Sequence, residues 1–279
     1  MEKLTPVSDH ISLHTRQRKK SSSASSDFEV IEQTITLDPK ETAVIVVDMW
    51  DQHWCKKAQQ RIEELAPAID EFVKQAREKS ISIIHAPSDT QEFYRNHPAR
   101  KHAKLSRVQS AFIKRINRYL FKRDFTSWCE ALDAEPLSEW PIDDSKICDD
   151  PSATEAQVWT KQIDAIEIHN QDILSTSAIE IWHVFKKKRI KNLLYVGVHV
   201  NQCVLARPFG LRNMSKCGKN VVLVRDLTDS AYVSSQSPFV DHFTGTKRVI
   251  EYIEKYICPT IISNCLTDKP PFVFSSHKK

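Results

Sequence analysis

The chain has 279 residues, of which 41% are hydrophobic and 27% charged, with a formal net charge of +4. That composition suits a globular protein long enough to bury a full core, as one large α/β domain or two small ones. Only four glycines are present, and neither a GxGxxG nor a Walker-type glycine-rich phosphate loop occurs; the mild positive charge is no nucleic-acid signature.

Seven cysteines, odd in number and without CxxC pairs, argue against a disulfide framework or a structural zinc site and favour a reducing, cytoplasmic compartment. No apolar run approaches the ~18–20 residues of a membrane span, and the N-terminus lacks the apolar centre of a secretory signal. Residues 1–27, basic and Ser-rich, are expected to form a disordered tail. Residues 28–268 are expected to form one domain, and 269–279 a flexible C-terminal tail.

Within that domain, Phe28 to Leu37 alternates enough for a short strand or hairpin arm. Ala43 to Val47 is a continuous apolar run ending at Asp48, the mark of a strand buried on both faces. Gln59 to Lys79 places Ile62, Leu65, Ala66, Ile69, Phe72, Val73 and Ala76 at helical spacing. Ile81 to His85 is a second strand, broken by Ala86-Pro87-Ser88-Asp89. Strand, helix, strand is a βαβ unit and implies a parallel sheet.

The alternation resumes later: a strand end at Val158 to Thr160, a helix over Ile173 to Lys188, a strand over Leu193 to Val196 and a helix over Val204 to Lys216. Val221 to Val224 reads as a strand, Lys247 to Tyr256 as a helix and Thr260 to Ser263 as a last strand. The predicted fold class is α/β: a three-layer α/β/α sandwich around an open, mostly parallel sheet of about six strands, with a helical insertion after the second strand over residues 93–157.

Inside the insertion, Arg95 to Arg123 contains no acidic residue, and Val108, Phe112, Ile116, Tyr119 and Leu120 form a helical apolar stripe; Asp124 to Glu155 is as clearly acidic. The two blocks are expected to neutralise each other. No base-stacking or groove-reading module accompanies the basic block, so nucleic acid is not an expected partner. An insertion at the carboxyl end of the sheet would lie near an active site and could serve as a lid.

Ligands of open α/β sheets bind outside the carboxyl ends of the strands, where Asp48, Lys161 and Cys203 all fall. Taken singly, Asp48 can cap a helix, Lys161 can be a solvated surface lysine, and Cys203 can be a small buried apolar residue. A cysteine in a turn from strand to helix, however, stands where the helix terminus favours a thiolate. Together the three supply a nucleophile, a proton acceptor and a cation, a complete set for covalent acyl transfer.

The motifs AVIVVDMWDQ, WTKQIDAI and YVGVHVNQCVLA, with the later VVLVRDLTDSA, resemble those of the isochorismatase-like cysteine hydrolases, the superfamily of nicotinamidases and N-carbamoylsarcosine amidases. The resemblance covers residues about 40–92 and 156–263. It implies that Cys203 attacks a carbonyl or imidate carbon, that Asp48 takes the thiol proton and returns it to the leaving amine, and that Lys161 keeps Asp48 ionised. Backbone N–H groups at Cys203 and the turn before it would bind the oxyanion, and a cis peptide bond would fall around Val198-His199-Val200. By the same resemblance Trp50, Trp54, Val198, His199 and Asn201 are candidate substrate-binding residues, with Phe93 and Tyr94 as further aromatic candidates, and a homo-oligomer is expected.

Two departures shape the expectation. His199 stands where the family usually has a small or hydroxyl residue. The nicotinamidase Asp-x-His is not reproduced after the second strand, and Asp51 with His53 forms such a pair only in another loop. The expectation is therefore a cysteine hydrolase without metal or cofactor, cleaving a C–N bond of a small amide or ureide, and neither nicotinamide nor isochorismate is an expected substrate. The partner expected is a small molecule, with no membrane. The alternative reading is a catalytically silent binding protein of the same fold, and a weaker one is anion or nucleic-acid binding through Arg95 to Arg123.

Overall fold

In the computed structural model, residues 10–21, 28–121 and 127–277 are described. The chain runs through β1 (Ile11–Lys20), β2 (Phe28–Leu37), β3 (Thr42–Val47), α1 (Lys56–Glu78), β4 (Ser82–Ala86), α2 (Pro98–Lys101) and α3 (Arg107–Phe121). It continues through β5 (Ile173–Leu174), α4 (Ala178–Lys188), β6 (Asn192–Val198), α5 (Cys203–Ala206), α6 (Leu211–Lys216), β7 (Asn220–Asp229), α7 (His242–Tyr256) and β8 (Thr260–Ile261).

One eight-stranded sheet has the order β2-β1-β8-β7-β6-β3-β4-β5. Strands β3 to β8 are parallel to one another, but the sheet has eight strands where about six were expected, and β5 stands at Ile173–Leu174, where the predicted helix was to begin. The other two form an antiparallel hairpin, β1 with β2, whose first strand also pairs antiparallel with β8. Side chains alternate on β3: Ala43, Ile45 and Val47 face the layer that holds α4, α6 and α7. Val44 and Val46 face α1, where Ile62, Leu65, Ile69 and Phe72 meet Leu13 of the hairpin. The result is the three-layer α/β/α sandwich.

Several boundaries differ from the predicted ones. Ile11–Lys20 is a strand and not tail, because Ile11, Leu13 and Thr15 alternate inward while Ser12 and His14 between them point outward. The remaining residues of that predicted tail, 1–9 and 22–27, lie outside the described residues. Within the predicted flexible C-terminus, Phe274 is buried and Phe272 donates its N–H to Asp226. Val158 to Thr160 forms no strand; the chain there touches the sheet region through an isolated bridge between Trp50 and Gln162. The helix predicted over 204–216 is broken at Arg207, since Pro208 drives the residue before it out of the helical region.

Cys55 and Cys148 form a disulfide across 93 residues, with Cα atoms 5.8 Å apart. One bridge beside five free cysteines is not a disulfide framework, but the cysteine spacing gave no sign of this pair. The bridge ties the start of α1 to the acidic half of the insertion. That half docks on the main body: Glu135 pairs with Arg212, Asp149 with Lys57, and Asp144 accepts from Asn201. In the basic half, Arg100 pairs with Glu180. These partners all lie outside the insertion, so each block is held by the body and not only by the other.

The tightest point of the sheet is Gly197. It pairs in register with Val47, has φ of +104°, and an added Cβ would lie 2.1 Å from the Val47 carbonyl oxygen. Gly218, at φ +75°, has open space around it. Gly197→Ala is expected to lose about 3 kcal/mol of stability or to misfold outright, a fall in Tm of roughly 10 °C. Gly218→Ala should lose only the conformational part, about 1 kcal/mol. Thermal melts of the two variants side by side test this, and equal losses would show that the close approach at Val47 is unimportant.

Candidate active site

Because β3 and β6 are adjacent and parallel, their carboxyl ends open at one place, and the residues that follow them meet there. Asp48 leaves β3 with φ of +46°, a left-handed conformation that aspartate tolerates better than most residues but that is uncommon outside glycine. It is fully buried. Its Oδ1 accepts the Ser88 N–H at 2.6 Å, from the loop after β4. Its Oδ2 faces Arg207 Nε at 3.4 Å, too long for a well-formed hydrogen bond, and the same carboxyl interacts with the Cys203 thiol.

Cys203 opens α5 and is 6% exposed. The turn before it contains the cis peptide Val198–His199, where the family resemblance places one. In this turn Gln202 and Val204 donate their N–H groups to the His199 carbonyl, and Val200 donates to Asp229. Among the described residues no backbone carbonyl outside the regular elements takes the N–H of His199 or of Cys203.

The cation in contact with this pair is Arg207, not Lys161. Arg207 lies four residues beyond Cys203, one helical turn away on the same face, and its extended backbone before Pro208 turns the side chain inward. The guanidinium faces Asp48, lies 3.5 Å from Asp89 of the loop after β4, and stacks on Trp128 of the insertion at 5.0 Å. Lys161 instead holds Asp164 at 2.5 Å and lies over Phe93, and no bond among the described residues joins it to Asp48 or Cys203. The sequence signal for Arg207 was its spacing from the cysteine and the proline that follows it.

Burial dominates the electrostatics. It pushes the Asp48 carboxyl above its ordinary range, although Arg207, Cys203 and Ser88 all pull the other way. Burial, reinforced by the negative charge of Asp48, pushes the Cys203 thiol well above its ordinary value, against the opposing pull of Arg207. The helix that was expected to favour a thiolate is only four residues long, too short for its dipole to offset desolvation. Burial thus raises both groups, and the thiol is neutral at pH 7.

The candidate substrate-binding residues divide. Trp50 is buried, stacks on Trp159 at 4.2 Å and donates its indole N–H to the Ser88 carbonyl, in the same cluster as Cys203. Trp54 packs on the disulfide and stacks on His53. Val198 points to the opposite face of the sheet, into the core under α1. Asn201 is a strut, bonding Ala231 through both ends of its amide and donating to Asp144. Phe93 is exposed, and the Tyr94 hydroxyl accepts the Gln162 N–H.

His199 turns away from the cysteine toward a second polar cluster. Arg61 and His242 both hold the buried Asp229, each at 2.7 Å. His242 also bonds the Tyr232 carbonyl at 2.8 Å. His199 meets the His53 ring edge-on at 5.2 Å, and its Nε2 is buried without a partner. Burial, aided by His53, drives its pKa down to about 3, so the ring is neutral at pH 7. Asp51 and His53 do not converge on a common point: Asp51 accepts from Thr160 and the Lys161 N–H, whereas His53 accepts from the Cys55 N–H. Among the described residues no group of three or more His, Cys, Asp or Glu is arranged to hold a metal ion.

Solved structures similar to this chain include a cysteine hydrolase from Pseudomonas syringae pv. phaseolicola, with a TM-score of 0.49, 13% identity, and coverage of 83% of this chain and 95% of that one. An isochorismatase family protein from Desulfovibrio vulgaris follows at 0.43 and 13%, covering 82% and 97%. An isochorismatase from Pseudomonas putida stands at 0.45 and 10%, covering 81% and 89%. No family model matches the sequence, and no curated protein matches it.

The geometry separates two cations that look equivalent in the sequence. If Arg207 stabilises the Asp48–Cys203 pair, Arg207→Gln should slow alkylation of Cys203 by iodoacetamide about tenfold or more, while Lys161→Gln stays within about twofold. Peptide mapping after timed labelling reads both, and the reverse order would return the role to Lys161.

Proposed function

We propose that this protein is a cysteine hydrolase that cleaves a C–N bond of a small amide or ureide through a thioester intermediate, with Cys203 as nucleophile and Asp48 as general acid and base. The observation that carries the reading is the buried contact of the Cys203 thiol, the Asp48 carboxyl and the Arg207 guanidinium at the carboxyl ends of β3 and β6.

As the sulfur bonds to the substrate carbonyl carbon, its proton passes to Asp48. The carbonyl oxygen takes up negative charge facing the N–H groups of His199 and Cys203, donors worth roughly 3–4 kcal/mol each when well placed. Collapse of the tetrahedral adduct breaks the C–N bond, and Asp48 returns its proton to the departing amine or ammonia. Water then attacks the thioester while Asp48 accepts a proton from it, and the acid leaves as sulfur regains that proton. Arg207 holds Asp48 in place and favours its ionised form at the start of each half-reaction.

The silent-binding alternative draws on one observation, the near-complete burial of Cys203. The two readings part on substrate screening. A panel of small primary amides, ureides and N-carbamoyl compounds should reveal a substrate whose turnover Cys203→Ser and Asp48→Asn each lower by at least about 10³-fold. Brief quenching should show an adduct of the acyl mass on Cys203 by peptide mapping. No turnover across the panel and no adduct, from folded protein, favours the silent reading.

The acid limb of kcat/KM follows from the raised carboxyl. The active form is ionised Asp48, so activity falls as pH drops through its pKa, and that pKa lies above the ordinary carboxylate range because of burial. Arg207→Gln removes the group that opposes the rise, so the limb should move to still higher pH. A pH–rate profile in which Arg207→Gln leaves the limb in place would exclude this coupling.

A further inference from the structure

Helix α3 carries three distinct faces. At ~100° per residue, Ser110 and Ile113 lie on the side packed against the body, with Ile113 against the main core. Val108, Tyr119, Phe112 and Ile116 fall within roughly 80° of arc on a different side, and they are 80%, 84%, 64% and 39% exposed. Arg107, Arg118 and Arg115 occupy the adjoining arc and are exposed as well. The whole stretch from Arg95 to Arg123 has no acidic residue, and exposed Lys101 and Lys104 extend the positive surface just before the helix.

An apolar arc of this kind flanked by arginine is what a surface-lying helix presents to a lipid interface. The apolar side chains enter the boundary between headgroups and acyl chains, and the basic flank meets anionic headgroups. We infer that α3 docks this protein on an anionic lipid surface, peripherally, with Val108, Phe112, Ile116 and Tyr119 inserted and Arg107 and Arg115 against the headgroups. This departs from the sequence-based expectation of no membrane contact. Attachment is peripheral because no described helix is long and apolar enough to cross a membrane.

Charge decides between occupants. A two-fold contact with a second copy would set the same acid-free basic arc against itself, with no carboxylate on the stretch to relieve the repulsion. Nucleic acid would use the arginines but leave the neighbouring aromatic and aliphatic arc facing water. A lipid surface engages both arcs at once and requires no matching groove. Neither a short apolar arc nor a few basic residues suffices alone for stable attachment, so both should be necessary.

The test is co-sedimentation of the full chain with phosphatidylcholine vesicles and with phosphatidylcholine–phosphatidylserine vesicles at about 3:1, in low and high salt. The wild-type protein should sediment with the anionic vesicles only and be released by high salt. The variants Phe112→Ser with Tyr119→Ser, and Arg107→Gln with Arg115→Gln, should each weaken binding about tenfold or more while keeping the wild-type Tm. These side chains are exposed, so folding is not at stake in either variant. The inference is overturned by no sedimentation with anionic vesicles, by equal sedimentation of wild type and both variants, or by binding that is indifferent to lipid charge. Self-association abolished by the same substitutions, without vesicle binding, would also overturn it and assign the face to a second copy.

Discussion

The approach of two neighbouring strands at their carboxyl ends is the constraint on which the site depends. Strands β3 and β6 run parallel, and Gly197 of one lies so close to the Val47 carbonyl of the other that no side chain fits between them. One residue beyond Val47 is Asp48; one residue beyond Gly197, the cis-peptide turn toward Cys203 begins. A larger residue at Gly197 would separate the strand ends by the width of a methyl group, a displacement comparable to the whole tolerance of a proton-transfer contact. In a chain with only four glycines, this one is placed where the backbone requires it.

The same closeness creates an electrostatic problem that Arg207 answers. A fully buried carboxylate is costly unless it is paired, and Asp48 has one short hydrogen bond, from Ser88, with its other oxygen left to an ion pair at 3.4 Å. A lysine ammonium would supply a point charge to a single partner. The planar guanidinium reaches Asp48 and Asp89 together and stacks on Trp128, a combination that only arginine provides. The incomplete satisfaction of Asp48 goes with its raised pKa, since a carboxylate held by three good hydrogen bonds would be pulled down instead.

How much of this was legible in the sequence follows from the range of each interaction. The apolar runs of β3 and β6, the residues closing them and the face of α1 are set locally, by hydrophobic period and strand-end chemistry, and they could be read. Strand β1 could not, because its three inward residues are few and run straight into the basic stretch Arg16 to Lys20, and its partner is a hairpin arm that is itself mostly exposed. Lys161 looked suitable until its own neighbour three residues on, Asp164, was seen to hold it. The pairing of Cys55 with Cys148 spans 93 residues, a distance over which composition carries no information. Arg207 was hidden by an unbroken helical pattern across Pro208; once the helix is ended there, its position one turn from Cys203 is what brings it to Asp48.

The insertion shows the same logic on a larger scale. Its acidic half is drawn onto the body by specific contacts, to Arg212, Lys57 and Asn201, and it brings Trp128 onto Arg207 as it does so. The Cys129 N–H bonds the Ala206 carbonyl at the end of α5, so this half is attached to the short helix that Cys203 opens. The basic half is held at its start by Arg100 with Glu180 and along α3 by Ile113, while the apolar arc of that helix remains outward. Apolar exposure at several consecutive helical positions is a cost that folding would ordinarily remove by burying them. The outward arc of α3 and the stack of Trp128 on Arg207 therefore belong to different halves of the insertion, one turned away from the body and the other docked on it.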